Sequence, residues 1–245
     1  MIFIHGGGWV SGDKYNYIGL GSFLSKNEYV TVIPNYVLFP LGKVDDMVED
    51  IYQMIQWTYQ NASKYGGDKN RIILIGYSSG AHLAALTTIK VALKIKNNNK
   101  ILSPLPRLEK LILYNGPYDF DEYDTITNAI FKTEGVVDHG VLERIINILV
   151  SSRDTSPTDI LKRYPDNSVK DFGFPKVILY YCEGDDMIPA SSSTHLIEQM
   201  ERVSPTTIIN YIYNDEDGFD HGTLLMGTRD GKEDLQQIFL EILQM

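Results

Sequence analysis

Short apolar runs rich in β-branched and aromatic residues alternate along this chain with long amphipathic stretches. A mostly parallel sheet joined by crossover helices accommodates that alternation, and few other architectures do. The runs are Ile2 to His5, Tyr29 to Ile33, Ile72 to Gly76, Leu111 to Tyr114, Val177 to Tyr181 and Thr207 to Tyr213. Each is almost wholly apolar, as a strand covered on both faces must be. Between them, Val44, Met47, Val48, Ile51, Met54 and Ile55 recur at helical spacing, with Asp45 and Asp46 in the first turn, where a helix N-terminus favours negative charge. Leu196, Ile197, Met200 and Val203 form a second stripe, and Leu235, Ile238, Phe239, Ile242 and Leu243 a third.

The pattern predicts an α/β fold with a sheet of about six strands, in one domain spanning residues 1–245. At 43% hydrophobic residues the chain has enough apolar content for one core. Two stretches interrupt the alternation. Residues 94 to 106, with four lysines or asparagines in a row after Lys96 and two prolines, read as a solvated loop. Residues 118 to 172 are too long for a single crossover; they read as a lid or pocket insertion, with Val137, Val141, Leu142, Ile145, Ile146 and Leu149 on one helical face and a turn at Tyr164 to Asn167.

Composition narrows the function. A net charge of −10 argues against nucleic-acid or anionic-membrane binding, both of which rest on clustered cations. The single cysteine, Cys182, permits neither an internal disulfide nor a thiolate zinc site and reads as a small apolar strand residue. No apolar run of about 18 residues is present to span a bilayer.

Chemistry enters with Gly76-Tyr77-Ser78-Ser79-Gly80, which matches G-x-S-x-G with a strand before it and a helix after it. That context places Ser78 on a sharp strand-to-helix turn, the geometry of an exposed nucleophile, and the flanking glycines make room for it. The Ser79 N–H is one expected arm of an oxyanion hole. His5-Gly6-Gly7-Gly8-Trp9, at the end of the first strand, supplies the other through Gly7 and Gly8, whose bare amides can approach a developing negative charge. His5 itself reads as a structural residue that fixes this loop.

A nucleophilic serine needs a base, and the base an orienting carboxylate. In this architecture the chain order is Ser, acid, His. His5 is too early, His82 lies on the helix behind Ser78, and His139 precedes every plausible acid. His195 reads as a satisfied surface histidine. His221, in the loop between the last strand and the last helix, is the expected base. The loop after the preceding strand offers Glu183, Asp185 and Asp186; Asp185 is favoured and Asp186 remains a competitor, with Asp217 and Asp220 more plausibly a solvated acidic turn.

These residues resemble the α/β-hydrolase fold, and within it the HGGG-bearing esterases related to hormone-sensitive lipases. Asn35-Tyr36, Phe39-Pro40, Asp45 to Val48, Tyr65 to Ile72 and Ser78 to His82 are similar to the isoprenylcysteine methylesterase group and the related arylformamidases. Val136 to His139, Ser156-Pro157 and Asp185 to Pro189 lean toward the former. In this resemblance Ser78 is the nucleophile, Asp185 the acid and His221 the base. It implies hydrolysis of a hydrophobic ester, such as a prenylcysteine methyl ester, without metal or organic cofactor. Two other readings stay open: N-formylkynurenine hydrolysis by the same three groups, and a catalytically inactive binding member of the fold.

Members of these groups carry additional strands, and often a membrane-anchoring region, before HGGG. The resemblance therefore predicts a sheet lacking its first two strands, with Tyr29 to Ile33 as an exposed edge open to pairing with a second copy. For this chain alone the expected location is cytoplasmic, and the resemblance leaves room for a membrane-associated longer form.

Overall fold

The computed structural model describes residues 1–120 and 154–245. Five strands form one sheet: β1 (Ile2–Ile4), β2 (Ile73–Tyr77), β5 (Lys110–Tyr114), β6 (Lys176–Cys182) and β7 (Ile208–Asn214). They lie side by side in the order β1-β2-β5-β6-β7, every neighbouring pair parallel. A separate two-stranded antiparallel hairpin joins β3 (Lys96–Asn97) to β4 (Lys100–Ile101). The helices among the described residues are α1 (Ile18–Lys26), α2 (Val44–Asn61), α3 (Ser79–Ala92), α4 (Pro157–Lys162), α5 (Ala190–Val203), α6 (Thr223–Asp230) and α7 (Glu233–Gln244).

The two-residue period of a strand sorts the core into two layers. Ile2, Ile4, Leu74, Leu111, Leu113, Val177 and Leu179 face one side, where α2 contributes Met47, Val48, Ile51 and Ile55 and α5 contributes Leu196, Met200 and Val203. Phe3, Ile73, Ile75, Ile112, Tyr114, Ile178 and Tyr180 face the other, against Leu20 and Leu24 of α1 and Leu235, Phe239, Ile242 and Leu243 of α7. All three apolar stripes read from the sequence thus lie against the sheet. Helix α3 is buried along nearly its whole length. Its start, Gly80-Ala81, is small because the helix runs against the end of β1: a Cβ on Gly80 would lie 2.3 Å from the Ile4 carbonyl oxygen and 2.4 Å from that of His5.

Three sequence expectations are corrected. Tyr29 to Ile33 is not a sixth strand; it reaches the sheet through a single parallel bridge, Ile2 to Val32. Its neighbour β1 offers only three residues, the Tyr29 amide is spent on the Leu24 carbonyl at the end of α1, and Pro34 ends the segment without an N–H. β7 is half-exposed along its length rather than doubly covered, because it is the far edge of the sheet. Residues 94 to 106 are not simply a wet loop: Asn97 is buried, and with Asp45 it holds the buried ammonium of Lys90 at 2.9 and 2.6 Å. The exposed lysines of that segment, Lys94, Lys96 and Lys100, do face solvent. Of the 118 to 172 insertion, the stripe Val137 to Leu149 and His139 lie outside the described residues; the turn at Tyr164 to Asn167 is present.

Candidate active site

Four loops at the carboxyl ends of parallel strands converge on one cleft, the usual position for a ligand site in an open α/β sheet. β1 runs into Gly6-Gly7-Gly8, β2 into Ser78, β6 into the Asp185 loop and β7 into the His221 loop. The cleft is about 380 Å³ and its lining includes Gly7, Gly8, Ser78, Ser79 and His221. Asp185 lies behind His221, fully enclosed.

Ser78 is held on a turn that ordinary residues avoid, with φ 53° and ψ −125°. Its amide donates to the Tyr114 carbonyl at 2.9 Å and its carbonyl accepts from Ala81 at 2.9 Å, so sheet and helix fix the turn from both sides. Gly76 is required beside it, because a Cβ there would meet the Ala81 Cα at 2.5 Å.

The turn points the Ser78 hydroxyl at His221, whose Nε2 lies 2.9 Å from Oγ. On the other side of the ring, Nδ1 lies 2.7 Å from Asp185 Oδ2. The carboxylate accepts from Nδ1–H, which leaves Nε2 as an acceptor for the serine proton. Asp185 Oδ1 in turn accepts from the Met187 and Ile188 amides, both at 2.9 Å, so the carboxylate has one orientation and offers only Oδ2 to the ring. Asp186, one residue on, is exposed. Asp220 Oδ1 instead accepts from the Gly222 and Thr223 amides and the Thr223 hydroxyl, and this hydroxyl lowers the Asp220 pKa.

Opposite the serine, Gly7 (φ 125°) and Gly8 (φ 56°) trace a path that favours glycine. A Cβ on Gly7 would lie 2.2 Å from the Ser11 carbonyl oxygen. The Gly7, Gly8 and Ser79 amides donate to no group among the described residues. Ser79 opens α3, where the first amides of a helix have no intrahelical acceptor.

The remaining histidines are placed elsewhere. His5 donates from Nδ1 to the Gly6 carbonyl at 2.8 Å and stacks on Tyr36, bracing the glycine loop. His195 is half-exposed and joins the buried carboxylate of Asp119 at 2.8 Å, away from the cleft lining. His82 is fully buried behind the loop: Nδ1 accepts from the Trp9 indole at 3.1 Å, so Nε2–H donates to the Thr155 carbonyl at 2.7 Å. Burial lowers its pKa to about 4.

That depression has a signed consequence. A histidine buried in its neutral form binds fewer protons folded than unfolded, so stability falls as pH drops from about 6.5, its unfolded value, toward 4. The shift corresponds to a loss on the order of 3 kcal/mol across that window. Urea unfolding at pH 7, 5 and 4 should show a smaller loss in His82→Gln than in the parent. The same slope in both proteins would rule His82 out as its source.

Two supports were not read from the sequence. Asn115, immediately after β5, donates from Nδ2 to the His221 carbonyl at 2.9 Å. Cys182 donates to the Asp220 carbonyl at 3.0 Å, and burial raises its pKa to about 11, so it remains a thiol. Together they tether the His221 loop to the ends of β5 and β6. The only sequence signal for Asn115 is a polar residue abutting the apolar run Leu111 to Tyr114.

Comparison with known proteins agrees with this architecture. Isoprenylcysteine alpha-carbonyl methylesterase ICME of Arabidopsis thaliana is 28% identical over 203 residues, covering 83% of this chain and 46% of that protein. Esterase LipC of Mycobacterium tuberculosis is 27% identical over 241 residues, covering 94% and 55%. The chain spans about half the length of these curated relatives. Among solved structures, Esterase B of Lactobacillus rhamnosis superposes with a TM-score of 0.73 at 17% identity, over 99% of this chain and 73% of that one. Est2 of Thermogutta terrifontis does so with 0.67 at 20% identity, over 99% and 79%. At such identities the likeness speaks to the fold, a mostly parallel sheet flanked by helices as in the α/β-hydrolases. The family model described as BD-FAE matches residues 1–200, which include HGGG, Ser78 and Asp185, and the chain therefore belongs to the BD-FAE family of α/β-hydrolase esterases.

Proposed function

We propose that this chain is a carboxylic-ester hydrolase that works through Ser78, His221 and Asp185, with the Gly7, Gly8 and Ser79 amides as its oxyanion hole. The observation that carries the reading is the unbroken hydrogen-bonded series from Asp185 Oδ2 through His221 to Ser78 Oγ, at 2.7 and 2.9 Å. It opens into a cleft bordered by amides with no other acceptor among the described residues.

In the acylation step His221 Nε2 takes the Ser78 proton as Oγ bonds to the ester carbonyl carbon. The carbonyl electron pair moves to oxygen, where the three amides stabilise it; each such donor is worth roughly 10² to 10³ in rate. Asp185 holds the tautomer and stabilises the imidazolium. The imidazolium then protonates the departing alcohol, leaving an acyl group on Ser78. Water, deprotonated by the same His221, attacks that acyl group, and collapse releases the acid and restores the serine.

The substrate class we propose is a hydrophobic ester, such as a prenylcysteine methyl ester. Apolar side chains of Pro117, Met187, Ile188 and Met226 among the cleft lining support it, as do the plant methylesterases among the relatives.

A fluorophosphonate probe should label the protein on the peptide containing Ser78, and Ser78→Ala should abolish the label. A folded but unlabelled protein would remove the serine mechanism. Turnover of prenylcysteine methyl ester, a short-acyl p-nitrophenyl ester and N-formylkynurenine, compared side by side, then fixes the class. Preference for the last would overturn the ester assignment.

A further inference from the structure

The wall of the cleft nearest His221 is helix α6, and it carries a cation that the hydrolytic steps do not use. Met226 and Arg229, three residues apart and so on one face of the helix, both line the cleft with Ser78 and His221. Asn16 and Tyr17, from the turn before α1, share the same lining. Arg229 is anchored from outside the cleft by its neighbour Asp230: Nε lies 2.7 Å from Oδ1 and Nη2 3.2 Å from Oδ2.

This two-point pair uses one edge of the planar guanidinium and fixes its orientation. Nη1 and the second Nη2 proton meet no acceptor among the described residues. Asp230 is the more exposed of the two, with its side chain 54% accessible against 29% for Arg229, so the pair presents its cationic side to the cleft and its anionic side to water. A pre-oriented guanidinium edge with unused donors matches a carboxylate in shape and charge. No other Lys or Arg lines the cleft among the described residues. In a chain of net charge −10, a local cation is what lets an anionic ligand approach.

We infer that Arg229 is a specificity-determining residue that binds a carboxylate carried by the ester, so the preferred substrate is amphiphilic, with an apolar body and an acidic group. The inference rests on the ester-hydrolase reading and moves its substrate class from a neutral ester, such as a prenylcysteine methyl ester whose one carboxyl is already esterified, to an ester that keeps a second, free carboxylate. The apolar body packs on Met187, Ile188 and Met226, and the carboxylate accepts from Nη1.

Two matched pairs of esters test it. Mono-p-nitrophenyl adipate against p-nitrophenyl hexanoate places the acid on the acyl side, and p-carboxyphenyl hexanoate against phenyl hexanoate places it on the alcohol side. The quantity read is the acidic-to-neutral ratio of kcat/KM. In Arg229→Gln this ratio should fall roughly tenfold or more for one pair, mainly through KM. Arg229→Lys should recover part of it, and the remote Arg107→Gln should keep the parental ratio. Added salt should depress the acidic ester selectively in the parent. If Arg229→Gln does not fold, this salt dependence decides, and its absence overturns the inference. An unchanged ratio for both pairs in a folded, fluorophosphonate-reactive Arg229→Gln overturns the role of Arg229 while leaving the hydrolase reading intact. Failure of the folded parent to turn over any ester overturns both.

Discussion

His221→Ala should lower kcat/KM for a neutral ester on the order of 10⁴-fold or more, whereas His195→Ala should change it by less than about threefold. Both are histidines paired with a buried aspartate, at 2.7 Å for His221 with Asp185 and 2.8 Å for His195 with Asp119. A carboxylate partner alone therefore does not make a base. What separates them is the second nitrogen: His221 Nε2 meets Ser78 Oγ, while His195 does not line the cleft. Asp185→Asn should fall toward the His221→Ala level, because an amide at that position admits the wrong ring tautomer, whereas Asp186→Asn on the exposed side of the loop should remain near the parent. Steady-state kinetics on one p-nitrophenyl ester read all four variants. Equal losses in His221→Ala and His195→Ala would overturn the assignment of the base.

The second large effect is on stability. Gly80→Ala adds a single methyl group, yet its carbon would stand 2.3 and 2.4 Å from the backbone oxygens of Ile4 and His5. Neither oxygen is the free end of a side chain, so α3 and β1 must separate, opening the layer between the sheet and its most buried helix. A cost of about 3 kcal/mol is expected, at the upper end for an overpacked core. Gly21→Ala in α1 is the contrasting case. The added methyl there meets only the Ile33 Cδ1, at 3.2 Å, and the gain in helix propensity of up to about 1 kcal/mol should make the variant neutral to slightly more stable. Chemical denaturation of the two variants beside the parent checks the contrast; a Gly80→Ala protein as stable as the parent would mean that the helix can shift without loss.

The depth to which the site was legible in the sequence followed how local its chemistry is. Ser78 and the glycines of HGGG lie in contiguous motifs whose spacing already encodes a turn or a bare amide, so they could be read residue by residue. His221 followed from chain order. Asp185 was favoured but Asp186 stayed a competitor, because their difference lies in the Met187 and Ile188 amides curling back onto one carboxylate. Asn115 was invisible for a related reason: it acts on the His221 carbonyl, a group about a hundred residues away that the sheet brings near. The edge segment Tyr29 to Ile33 was misread because composition reports strand propensity but says nothing of how many residues the neighbour offers to pair with.

The Trp9–His82–Thr155 connection ties three remote parts of the chain to one imidazole: the glycine loop, the nucleophile's helix and the returning limb of the insertion. Substrate range in such enzymes is an obvious target for exchanging insertions between relatives. Here that exchange is not modular. A graft that displaces the carbonyl at position 155 releases the ring, the ring releases the indole, and the amides of Gly7 and Gly8 lose their backing. Redesign of specificity in this chain thus has to keep residue 155 with the glycine loop and end its new sequence before it.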